Sequence, residues 1–162
     1  MIVRSQRLIA LAAAVALAGP LSAFNERRPI ERTALVDAMN RERAAYGLRP
    51  LHLEERLNRA AEDRAEDMLE KHYFNHVSPE GMSPFKWVDA EGYAYREVGE
   101  NLAVGYKTAD SVVNGWMQSP GHRANILGKH YGDVGIAVAP SPLHGYGSPL
   151  VVALYGSMTG TQ

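Results

Sequence analysis

The chain has 162 residues, 22% of them charged and 46% hydrophobic, with a formal net charge of −1. That suits one globular domain with a core of its own, and it excludes a disordered chain and a strongly basic nucleic-acid-binding surface. Cysteine is absent, which excludes disulfides, thiolate metal sites, a cysteine nucleophile and a lipid-modified N-terminal cysteine.

Arg4 and Arg7 make a short basic start, and Leu8 to Ala18 is an unbroken apolar run. Gly19-Pro20 breaks the run, and Leu21-Ser22-Ala23 offers a small-residue cleavage site. Residues 1–23 therefore read as a cleaved secretory signal peptide. The run falls short of the ~20 apolar residues that a membrane span needs. The two arginines are not adjacent, as a twin-arginine signal would require. Export without disulfides points to a bacterial compartment, periplasmic or extracellular. Residues 24–32 read as a polar lead-in, 33–157 as the domain and 158–162 as a tail, with no span left after cleavage.

The pattern from Glu31 to Tyr46 predicts a helix, with Leu35, Val36, Met39 and Arg43 at helical spacings and Gly47 as its stop. A longer helix is predicted over Leu53–His72. Leu57, Ala60, Ala61, Ala65, Met68 and Leu69 form its apolar stripe, and Glu55, Arg59, Glu62, Asp63, Glu66 and Glu70 its solvated face. Asn75–Gly81 reads as a loop, and Ser83-Pro84 as the cap and first position of a short helix through Ala90. Gly99–Tyr106 reads as a strand or extended turn. Helix returns over Asp110–Gln118, ends at Ser119-Pro120-Gly121, and resumes briefly over His122–Leu127. Val134–Ala139 and Leu150–Tyr155 read as strands joined across a Pro/Gly-rich loop, Pro140–Ser148. Helices first and strands later give an α+β fold, with an antiparallel sheet covered by helices.

Six histidines are candidates for chemistry. His52, His72, His130 and His144 read as ordinary surface or satisfied residues. His76, in FNHVSP, and His122, in SPGHRAN, stand where helices end and the chain turns. Loops on a rigid scaffold are common seats of function. Between them lies Glu100 beside Asn101. Two imidazoles and a carboxylate suffice to hold a zinc-like ion with an open position, although no HExxH-type pair sets the geometry. Ser78 and Ser119 lie near the two histidines in sequence, but neither sits in a nucleophile elbow. Most aromatic residues, Trp87 and Trp116 above all, read as core.

The stretches LVDAMNRERAAYGLRPL (35–51), LNRAAEDRAEDM (57–68), FNHVSPEG (74–81), GENLAVG (99–105), WMQSPGHRANIL (116–127) and YGDVGI (131–136) occur in this order. In them the chain resembles the CAP superfamily, also called SCP-like, in its cysteine-free bacterial form. The resemblance implies an α-β-α sandwich with a small antiparallel sheet and a surface cleft lined by two histidines and two glutamates. On matching positions these are His76, His122 and Glu100, and in some relatives the histidines bind zinc. The second glutamate position is Ser119 here, and Met39 replaces a histidine often found before Asn40. One lost carboxylate weakens the attraction for a cation.

Three functions are compatible with these residues. The first is an exported, non-enzymatic binding module. Its cleft (His76, Glu100, Asn101, Ser119, His122) would hold a small apolar or cell-envelope ligand, with zinc or another divalent cation on His76 and His122. The second is a metal-assisted hydrolase with Glu100 as base. The third is an interaction protein whose histidines only brace loops. The missing carboxylate and the lack of a nucleophile motif favour the first.

Overall fold

The computed structural model describes residues 30–140 and 149–158. The signal segment, His144, most of the Pro/Gly-rich loop and nearly all of the tail lie outside these residues. The elements run α1 (Arg32–Ala45), β1 (His52–Leu53), α2 (Glu55–Glu70), α3 (Phe85–Ala90), β2 (Tyr95–Ala103), α4 (Ala109–Gln118), α5 (Pro120–Ile126), β3 (Asp133–Ala139) and β4 (Leu150–Met158). No helix among the described residues is long and apolar enough to cross a membrane.

The four strands lie in the order β1-β3-β4-β2. Strand side chains alternate between faces, so β4, buried along nearly its whole length, feeds two cores. Val151, Ala153 and Tyr155 pack with α1, α4 and α5 residues such as Leu35, Met39, Val112, Trp116 and Ile126. Leu150, Val152 and Leu154 pack with Leu57, Ala61, Met68 and Val88 of α2 and α3. The result is the three-layer α-β-α sandwich that the resemblance implies. Strands β2, β4 and β3 pair antiparallel, but β1 pairs parallel to β3 at one edge.

Several boundaries differ from the sequence reading, each for a local reason. His52-Leu53 is a short strand, because the His52 and Glu54 amides bond to the Gly132 and Val134 carbonyls. The second helix therefore starts at Glu55, and Glu54 caps it by accepting from the Leu57 amide at 3.0 Å. Ser83 provides no side-chain cap for α3, whose N-cap is Pro84. Strand β2 begins at Tyr95 rather than Gly99, since its pairing with β4 reaches Met158. Helix α5 starts at Pro120, directly after Ser119.

Polar side chains fasten the layers. Asn40 pairs with both backbone groups of Leu51, donating to its carbonyl at 3.0 Å and accepting from its amide at 2.7 Å. The Trp116 indole is 2% exposed and donates to the Leu102 carbonyl at 3.0 Å, as its core assignment requires. Gly135 lets α2 lie directly on the sheet: a Cβ there would fall 2.0 Å from the Leu57 backbone.

Candidate functional site

Strand β2 is the outer strand of the sheet on its side. Unpaired strand edges are normally covered, and here the cover comes from α5. Asn125 of α5 donates from Nδ2 to the Glu100 carbonyl at 3.0 Å and to Asn101 Oδ1 at 2.8 Å. Asn101 donates in turn to the His122 carbonyl at 3.0 Å and the Tyr155 hydroxyl at 3.1 Å. Gly99 is needed for this approach, because a Cβ there would meet the Asn125 side chain at 2.7 Å.

Alternation along β2 separates two neighbours that the sequence reading placed together. Asn101 is fully buried on the α5 side and has no surface to offer a ligand; its role is to hold the turn that carries His122. Glu100 points to the α2 side. Its Oε2 accepts from Arg64 Nε at 3.1 Å, and its Oε1 bonds His76 Nδ1 at 2.8 Å.

Arg64 has no exposed surface. It also donates to the Tyr73 hydroxyl and, at 2.5 Å, to the Asn75 carbonyl, and its guanidinium lies 4.7 Å from the Trp87 ring centre. Asp67 accepts from Tyr73, and burial together with that bond pushes the Tyr73 phenol up to about 12. One buried cation thus fixes both the loop after α2 and the carboxylate that orients His76. Sequence reasoning missed Arg64. Its signal is a cation between Ala61, Ala65 and Met68 on the apolar stripe, where a charge is buried only with partners.

Because Glu100 accepts, His76 Nδ1 carries the proton and Nε2 is the nitrogen left over. The bond to Glu100 raises the His76 pKa above the usual imidazole range, against an opposing effect of burial. His122, at the start of α5, lies with its ring centre 6.4 Å from that of His76, the planes tilted by 50°. Burial, with a smaller effect from His76, lowers its pKa. Among the described residues no hydrogen bond holds the His122 ring.

The structure therefore brings His76, Glu100 and His122 together across 46 residues of sequence. Ser119 joins α4 to α5 in extended conformation (φ −101°, ψ 120°), and its side chain caps neither helix. Among the described residues no group of three or more His, Cys, Asp or Glu is arranged to hold a metal ion. Glu100 is not a third ligand in waiting, since both its oxygens are engaged.

The sequence profile of the cysteine-rich secretory protein family, CAP, matches residues 36–155. The chain belongs to this family. Despite the family's name, this CAP protein has no cysteine. It is 41% identical over 107 residues to the uncharacterised Bacillus subtilis protein YkwD, a match that covers 66% of this chain and 42% of that one. The chain spans well under half the length of the curated relatives it matches. An outer surface protein of Borrelia burgdorferi has a similar fold, with a TM-score of 0.70, 20% identity, and coverage of 78% of this chain and 92% of that one. So does a Bacillus anthracis extracellular protein containing an SCP domain, with a TM-score of 0.69, 22% identity and coverage of 77% and 39%. These likenesses establish the CAP fold.

Proposed function

We propose that this CAP domain is an exported binding module in which His76 and His122 together hold a divalent cation of the zinc type and present it to a ligand of the cell envelope. The supporting observation is the Arg64–Glu100–His76 chain. A metal-binding imidazole typically donates its other N–H to a carboxylate, which fixes the ring and raises its basicity. Glu100 stands in that relation to His76, and His122 is the neighbouring imidazole.

The donor set fits such an ion loosely. Two imidazoles are suitable zinc ligands, but they leave at least two positions for water or for oxygen atoms of a ligand. When bound, the cation would supply a Lewis acid. The chain's own residues orient one imidazole, disfavour protonation of the other by burial, and leave the pair within reach of the surface. Export is supported by the leader-like segment at 1–23. Hydrolysis with Glu100 as base is less well supported, because that carboxylate would have to give up His76 or Arg64 to take a proton.

Titration calorimetry of zinc into metal-free chain 24–162 tests the reading, with the His76→Ala/His122→Ala double variant alongside. Binding at micromolar level or tighter, about −8 kcal/mol, should appear in the parent and be lost in the double variant. No binding to the parent, with the variant merely less stable, would assign the histidines to bracing loops.

A further inference from the structure

A second concavity, lined by neither His76 nor His122, lies on the side of the sheet where the loops after α1 and α5 run. It has a volume of about 380 Å³ and is lined by Arg49, Arg96, Glu97, Lys129, His130, Ser157 and Met158. That is within the ~300–1,000 Å³ of ordinary small-molecule sites. Arg49, Arg96 and Lys129 are exposed, and among the described residues none of them makes an ion pair. Three permanent cations thus face one carboxylate, in a chain whose net charge is −1.

Two features of the backbone build this place. The first is an irregularity in β2. Tyr95 pairs with Met158 and Glu97 with Ser157, so Arg96 is an extra residue with no partner of its own in β4. Such a bulge re-aims the side chain it carries. Regular alternation would set Arg96 on the α2 face with Glu100; the bulge brings it to the pocket beside Glu97. The second is Arg43, which is fully buried. It donates to the carbonyls of Arg49 at 2.8 Å, Ile126 at 2.7 Å, Gly128 at 2.9 Å and Tyr131 at 3.0 Å. It thereby clamps the loop that carries Arg49 to the loop that carries Lys129 and His130. Arg43 has no carboxylate partner among the described residues, so its charge adds to the positive potential behind the pocket.

We infer that this pocket is a second binding site, for a phosphate group borne on a small polyol. The guanidinium and ammonium groups match phosphate oxygens. Glu97 and the Ser157 hydroxyl on the same wall are suited to sugar or glycerol hydroxyls, and the volume exceeds what one phosphate fills. The same chemistry is offered by a soluble polyol phosphate and by a glycerophosphate lipid headgroup.

The test is an NMR titration of the 15N-labelled chain with glycerol 3-phosphate and, separately, with glycerol. Saturating shifts confined to the amides of Arg49, Arg96, Lys129 and Ser157 are expected with the phosphate compound and none with glycerol. Arg96→Gln and Lys129→Gln should each weaken binding about tenfold or more, the loss of one charge-assisted contact. Both side chains are exposed, so the fold should survive, as the spectra themselves will show. Arg41→Gln, which removes an exposed cation elsewhere, should change nothing. Sedimentation with phosphatidylglycerol vesicles identifies the source: recruitment that needs Arg96 and Lys129 indicates a lipid headgroup, and its absence indicates a soluble polyol phosphate. Shifts that do not saturate, that scatter over the surface, or that persist in both variants would overturn the site.

Discussion

Arg43 and Arg64 are both at 0% exposure, one on each side of the sheet. They solve the problem of a buried cation differently. Arg64 is hydrogen-bonded to one carboxylate, Glu100, lies 3.8 Å from a second, Asp67, and shares its remaining donors among Tyr73, the Asn75 carbonyl and two aromatic rings. Arg43 is surrounded by four backbone carbonyls, one from the loop after α1 and three from the end of α5 and the loop that follows it. In the first case charge is cancelled and a side chain is oriented. In the second, charge is merely solvated, and what is organised is backbone. A side-chain partner can be removed together with its arginine, but backbone carbonyls cannot.

That difference predicts an asymmetry in stability. Arg43→Met should be the more damaging, because it orphans four carbonyls, each worth ~1–3 kcal/mol if left buried without a donor; a total loss above ~4 kcal/mol is expected in urea unfolding. Arg64→Met should cost ~3–5 kcal/mol by leaving the buried Glu100 carboxylate with His76 as its one remaining side-chain partner. Adding Glu100→Leu to Arg64→Met should recover ~1 kcal/mol or more, since an apolar replacement of a whole buried pair is often neutral. A smaller loss for Arg43→Met than for Arg64→Met would mean that water reaches those carbonyls, and the contrast would collapse.

The gentlest probe is titration of the two imidazoles by NMR. His76 should titrate above 6.5, because Glu100 favours its charged form, and His122 below 6.5, because burial disfavours it. Glu100→Gln should carry His76 below 6.5, since burial and the Arg64 charge then act alone. The signs for stability follow. The His76–Glu100 pairing contributes fully below pH 6.5 and fades as pH rises through the raised His76 value. For His122 the penalty of protonation develops as pH falls from 6.5 through its lowered value. Coincident midpoints for the two rings would show that Glu100 does not discriminate between them.

Much of this was legible in the residues. The stripes of α1 and α2, Gly47 with its left-handed φ of 67°, and the apolar runs of β3 and β4 are local patterns, and local patterns report local structure. His76, Glu100 and His122 were picked out by their motifs, although their spacing in sequence could not show that they meet. Arg43 already stood in the apolar spacing of its helix, a hint of burial without a hint of its partners. Arg64 carried the same hint and was passed over.

What needed the tertiary structure was whatever depends on partners distant in sequence. Two residues of β1 hold too little pattern to announce a strand, and their parallel pairing exists only because β3 lies beside them. The extra residue at Arg96 is defined by its register against β4, not by its own type. Glu100 and Asn101 are adjacent in sequence, yet one orients a surface imidazole and the other is sealed in the core. Alternation dictates that they part, but only the layers packed on either face decide which of them reaches an exposed partner. Sequence determines periodicity through backbone geometry, whereas burial and pairing are properties of surfaces that come into contact only when the chain is folded.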